Sequence, residues 1–249
     1  MRRTISLLLC TTLVLVAIWA AVAQSQDPLA AIDAAYAKRN GTGQFAKQSL
    51  ALAEQAFANG GGFEAAWRAA RACFWICDRS ENKKVDLEYG KKGWDWGLKA
   101  IELNPNRVEG HYYACIASGE YGKGMGIAKA LFKGMGPKYE KHGNDAIAID
   151  PTYERGGPLR AMGRYWQVLP PLARKLDKAE DFLKKAEKVA PCMTRTRFYL
   201  VELYMTTDQW DKARATAQAA QNTAGCPEHT WECAYFKKRI QKLSAQFPE

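Results

Sequence analysis

Apolar residues recur at helical spacing along the chain, and no stretch shows the strict alternation of a half-buried strand. Leu29, Ile32, Ala35 and Tyr36 share one helix face behind Asp27-Pro28, a capping carboxylate followed by a proline suited to a first helical turn. Asn40-Gly41 ends that helix, and a second covers about 45–58 before Gly60-Gly61-Gly62. A third begins near Glu64 with Trp67, Ala70 and Phe74 on one side, and the loop 78–84 leads into a long fourth. The fourth closes on Ala100-Ile101-Glu102-Leu103-Asn104-Pro105, an ending that returns at 146–151 and 186–191. Proline at these positions stops a helix and sets the turn into the next. Asn106-Arg107-Val108-Glu109 has capping-box spacing and opens a helix carrying Tyr112, Cys115, Ile116 and Tyr121. The segment 122–136 holds five glycines among Met125, Ile127, Leu131, Phe132 and Met135. It reads either as a packed crossover over one end of the core or as a flexible, partner-binding strip.

The C-terminal third nearly repeats itself. Asp177-Lys178-Ala179 returns as Asp211-Lys212-Ala213 after 34 positions, and on that offset Leu176 matches Trp210, Ala186 matches Ala220 and Cys192 matches Cys226. With Leu200, Tyr204 and Ala217, these positions resemble the small-and-large pattern of the tetratricopeptide repeat (TPR), a helix–turn–helix unit of this period. The predicted fold is therefore all-α: a right-handed superhelix of TPR-like repeats with insertions and a C-terminal capping helix. Its units are a degenerate repeat at 27–62, repeats at about 64–105, 106–151, 156–191 and 194–225, and a cap at 228–246. Asp177-x-x-Glu180 is expected to cap one second-type helix, with Glu180–Lys184 and Asp181–Lys185 supporting it. Lys237, Lys238 and Arg239 read as a solubilising face on the terminal cap.

Residues 1–23 resemble a secretory signal: Arg2-Arg3, an apolar run from 5 to 19, and Ala21-Val22-Ala23 before the cut. A periplasmic or secreted protein is expected; the alternative is an uncleaved N-terminal membrane anchor, since the apolar run approaches the ~17–20 residues a span needs. Net charge is +10, and +8 once Arg2 and Arg3 are removed, but the lysines are scattered along helices, so no nucleic-acid partner is expected. Six cysteines remain after position 23, and an oxidising compartment makes disulfides plausible among Cys192, Cys226, Cys73 and Cys115. Buried free thiols are the alternative.

Ala66-Trp67-Arg68-Ala69-Ala70-Arg71, the run 108–113, and Tyr153 followed by Gly156-Gly157-Pro158-Leu159-Arg160-Ala161-Met162-Gly163-Arg164 resemble the periplasmic T component of tripartite ATP-independent (TRAP) transporters. That resemblance implies a noncatalytic helical protein, capable of homo-oligomerisation, that assists a solute-binding protein in organic-acid uptake.

Motif by motif, catalytic chemistry is missing. His111, His142 and His229 show no paired metal-ligand spacing, Cys73-x-x-x-Cys77 is neither a redox nor a haem motif, and no nucleophile elbow, phosphate loop or dinucleotide glycine motif occurs. Neither an enzyme, a metal nor a cofactor is expected. In TPR units the first helix lines the groove, and the resemblance carries that role to Arg68 and Trp75, Tyr113 and Tyr121, Arg160 and Arg164, and Arg195 and Phe198. Arginine forks beside aromatics suit a carboxylate on an acidic peptide, a protein partner or a small organic acid. The competing expectation is that these arginines pair with nearby acids.

Overall fold

The computed structural model describes residues 27–39 and 43–248, so the expected export signal lies outside the described residues. Helices α1 (Pro28–Ala37) and α2 (Gln44–Ala58) form the leading pair, and the Asp27 carboxylate accepts from the Leu29 amide at 2.9 Å. Then come α3 (Gly62–Asp78) and α4 (Lys83–Leu103), α5 (Val108–Met125), the short α6 (Ile127–Phe132) and α7 (Met135–Ile149). Helices α8 (Tyr153–Val168) with α9 (Leu176–Val189) and α10 (Thr194–Thr206) with α11 (Trp210–Asn222) complete the pairs. A 3₁₀ turn at Pro227–His229 leads into the cap α12 (Thr230–Ser244). The described residues contain no strand.

One local device builds three of the inter-repeat turns. Ala100, Ala146 and Ala186 are fully buried, and their carbonyls accept from the amides of Asn104, Asp150 and Ala190 at 2.9, 2.9 and 3.1 Å. Each acceptor turn then leaves the helix with extended backbone before Pro105, Pro151 or Pro191, as a residue preceding proline must. Ala220 is the fully buried counterpart in the last unit.

Packing follows side-chain size. In α3 the alanines at 65, 66, 69, 70 and 72 are completely buried, which lets α2, α4 and α5 all close on it. Helix α4 meets α5 through Gly90, Gly93 and Gly97; a Cβ on Gly97 would sit 2.6 Å from the Ala114 Cα. Helix α8 is not continuous: Glu154, Arg155 and Gly156 have φ of 46°, 55° and 76°, so the regular helix starts after them. Pro158 thereby lies in a first turn, where its missing amide costs nothing.

Two capping boxes expected from spacing do not form. Arg107, not Asn106, precedes α5 without a side-chain cap, and Glu109 is held by the Arg107 guanidinium instead. Helix α9 starts at Leu176, so Asp177 is already inside it, and Glu180 accepts from the Tyr204 hydroxyl at 3.0 Å rather than closing a cap. Asp181–Lys185 pairs at 2.7 Å, whereas Lys184 turns to Glu187.

The array bends back on itself. Trp75 on α3 meets Trp231 on α12 with ring centroids 5.5 Å apart, and Arg195 on α10 reaches Asp78 at the end of α3, 117 residues earlier, at 2.8 and 2.9 Å. The concave face is therefore partly enclosed at its centre.

Candidate functional site

Enclosure leaves a chamber of about 480 Å³ between α3, α5, α6, α7, α8, α10 and α12. That volume falls in the range of small-molecule pockets. Its apolar wall comes from Phe74, Tyr112 and Ile116 on one side, Ile127, Leu131, Met135 and Tyr139 from the glycine-rich insertion, and Val168, Phe198, Tyr199 and Phe236 opposite. The 122–136 segment is thus a wall of the chamber, although Phe132 on its outer face is 94% exposed.

Six cationic side chains line this space, Arg79, Lys123, Arg160, Arg164, Arg195 and Arg239, against two acids, Asp78 and Glu120. Their freedom differs. Arg195 is buried and locked, its fork on Asp78 and its Nε on Glu232 at 2.5 Å. Burial works against its charge, but Asp78 and Glu232 outweigh burial and hold its pKa well above the ordinary value. Burial likewise opposes ionisation of Glu232, yet Arg195 and His229 bring that carboxyl well below the usual carboxylate range. Arg160 donates to the backbone carbonyls of Arg155 and Glu154 at 3.1 and 3.3 Å, which ties the strained start of α8 to the chamber wall. Arg164 is partly exposed; it donates to Glu202 at 2.7 Å and Gln167 at 3.1 Å and lies over Tyr199 at 4.6 Å. Arg79 sits over Trp231 and Tyr235 beside Asp78. Arg239 lies over Phe198 at 4.3 Å, exposed, with no ion pair among the described residues.

Glu120 is the unusual acid. Burial, with Asp78 and Asp86 nearby, pushes its pKa up to about 7 despite contact with Lys123. Asp86 is also raised by burial, and Lys123 bridges the two.

Of the groove residues expected from the repeat positions, Arg160, Arg164, Arg195 and Phe198 line the chamber, while Arg68, Trp75, Tyr113 and Tyr121 do not. Arg68 stands on the far side of α3, bound to Asp33 at 2.9 Å and Glu64 at 2.6 Å, so the four arginines do not share one surface. Tyr113 stacks on Trp67 and donates to Glu154 at 2.9 Å, Trp75 is taken up by the α12 contact, and Tyr121 tilts against Trp94. Arg79, Tyr139, Tyr165, Tyr199 and Arg239 are chamber residues that repeat positions did not indicate. Arg239 in particular faces aromatic rings rather than serving only the solubilising face expected of the cap.

Cys192 and Cys226 are bonded, with Sγ atoms 2.06 Å and Cα atoms 5.0 Å apart, because the alanine-ended turns bring the starts of successive units together. Disulfides at Cys73 and Cys115 are not formed. Cys73 packs toward Gly93 on α4 and Cys115 toward Gly143 on α7, so their buried thiols face different helices. Burial raises both thiols to about 12.

Comparison with known proteins supports the architecture. A thermophilic TPR protein from Thermus thermophilus superposes with a TM-score of 0.66 at 20% identity, covering 88% of this chain and 97% of that one, which shows a shared fold. Yeast Tom70 aligns at 12% identity over 82% of this chain and 60% of its own, with a TM-score of 0.30 that carries no argument. Among curated proteins, regulator of microtubule dynamics protein 3 of Bos taurus is 23% identical over 194 residues, 71% of this chain. The chain spans only 40% of that relative's length. The family whose model matches is not the TRAP T component: the sequence family described as regulator of microtubule dynamics protein 1-3 matches residues 29–162, from α1 into the chamber-lining helix α8. With more than half of its 249 residues matched, the chain belongs to that family.

Proposed function

We propose that the protein is a noncatalytic interaction scaffold whose partly enclosed concave chamber receives a partner segment bearing a carboxylate among apolar side chains. The single observation that carries this is the lining: aromatic and aliphatic walls with six cations against two acids. An apolar wall takes up apolar side chains, and guanidinium groups over aromatic rings supply paired donors to a carboxylate. Arg164 and Arg239 are the groups suited to it, since Arg195 and Arg160 are committed to holding the fold. The family's name suggests a microtubule-associated partner; a net charge of +10 supports it, whereas the chamber carries the proposal.

A second reading, a small organic acid bound as an accessory to a transporter, is favoured by the chamber volume of about 480 Å³ and by the TRAP-like stretches. Export by the residue 1–23 signal fits the accessory, or a scaffold with an exported partner, but not a microtubule-associated one; the Cys192–Cys226 bond supports an oxidising compartment.

Calorimetric titration of acidic, apolar peptides and small organic acids separates the two. Charge-assisted hydrogen bonds contribute about 1.5–3 kcal/mol each, so Arg164→Ala should weaken binding roughly ten- to a hundredfold. Arg164→Lys should restore it only partly, because the planar fork is lost. Lys129→Ala, outside the chamber, should leave binding unchanged. Preference for peptides selects the scaffold, preference for free acids selects the accessory, and indifference to Arg164→Ala and Arg239→Ala overturns both.

A further inference from the structure

We propose a site for a divalent transition metal ion, represented by Zn²⁺, at His111, His142 and Asp145. None of the three lines the chamber. Their sequence separation hides them: His111 lies in the first turn of α5, whereas His142 and Asp145 lie three positions apart on α7 and so share a face. The fold brings the three donor groups within 4.8 Å of one another.

The hydrogen bonding around His111 is the central observation. Its Nε2 lies 2.9 Å from the Pro105 carbonyl oxygen, which only accepts, so Nε2 carries a proton. In the neutral ring Nδ1 is then a bare lone pair. That atom is buried, has no hydrogen-bond partner, and lies 3.3 Å from Asp145 Oδ2, itself an acceptor. His142 Nδ1 is also buried and without a hydrogen-bond partner. An imidazole lone pair 3.3 Å from a carboxylate oxygen is repelled by it, and a cation shared with the His142 ring removes that repulsion. A second proton on His111 would serve one pair; a metal ion would satisfy all three.

The chemistry of the set fits an ion. Imidazole with carboxylate suits Zn²⁺ and its neighbours among the divalent metals. The Pro105 carbonyl orients His111 as outer-shell acceptors orient metal-bound histidines. Three protein donors leave a fourth tetrahedral position for water. Ligands held at about 2.0–2.2 Å from a tetrahedral zinc stand about 3.4 Å apart, close to the spacing His111 Nδ1 and Asp145 Oδ2 have, so binding chiefly draws in the His142 ring. The competitor is Lys141, whose ammonium holds Asp145 Oδ2 at 2.7 Å from a side chain that is 69% exposed. A metal displaces it into solvent.

The test is calorimetric titration of Zn²⁺ into the untagged full chain, paralleled by Co²⁺ absorption. The expected result is one ion per chain, weakened at least tenfold by His142→Gln and by Asp145→Asn. Lys141→Ala should tighten binding severalfold, and as a surface change it stays informative should either ligand variant fold poorly. Cobalt bands should be those of nitrogen and oxygen ligation. No stoichiometric uptake, thiolate charge-transfer bands, or affinity unmoved by Lys141→Ala and by the ligand variants would each overturn the site.

Discussion

Arg195 and Glu120 show how differently two charged groups can sit in one chamber. Arg195 is surrounded by Asp78 and Glu232, a fully paired arrangement in which removing one partner strands the others. Glu232, depressed by that pairing, contributes stability that is present above the unfolded carboxyl value and is lost as pH falls below it. Glu120 works in the opposite sense. Its folded pKa of about 7 lies above the unfolded value, so between roughly pH 4.5 and 7 the folded chain holds a proton that the unfolded chain has released. Stability should therefore fall as pH rises through that window, by up to roughly 3 kcal/mol. Urea denaturation at pH 4.5 and pH 8 checks it: Glu120→Gln should stabilise the protein at pH 8 and change little at pH 4.5. Equal effects at both values would show that burial does not hold the Glu120 proton.

At the scale of elements, α4 is built against its own helix propensity. Gly97 has no room for a side chain, because the nearest atoms belong to the Ala114 backbone, which cannot swing aside. Gly97→Ala should cost about 1–3 kcal/mol through overpacking, although alanine favours a helix by about 1 kcal/mol. Gly122→Ala on α5, whose new Cβ would meet only the Ala130 Cβ at 3.4 Å, should be neutral or stabilising. Thermal or urea unfolding of both variants distinguishes tight helix approach from mere glycine content; equal behaviour contradicts the packing account. The helices themselves were legible because their signals are local: Asp27-Pro28, the alanine-to-proline endings and the 34-residue match. Spacing alone misplaced the caps at Asn106 and Asp177, since the residues that precede the helices are Arg107, one position later, and Lys175, two positions earlier.

At the scale of the whole molecule, closure decides the site, and closure leaves little trace in sequence. Repeat positions indicated Arg160, Arg164, Arg195 and Phe198, which are carried by first-type helices, but equally Arg68, Trp75, Tyr113 and Tyr121, which lie outside the chamber. Arg79 and Arg239 enter only because α12 swings back onto α3, a contact between Trp75 and Trp231 that no local pattern announces. The His111, His142 and Asp145 group was missed likewise, as its spacing acquires meaning only when α5 and α7 pair. Val168 provides a direct probe of the chamber, since it lines the cavity, is partly exposed and carries no charge. The decisive measurement is calorimetric titration of the acidic, apolar peptides into the unmodified protein and into Val168→Trp, with circular dichroism confirming that the variant keeps its helices. Saturable binding that disappears when tryptophan fills the chamber is the predicted result; peptides that bind both proteins equally, or neither, would contradict it.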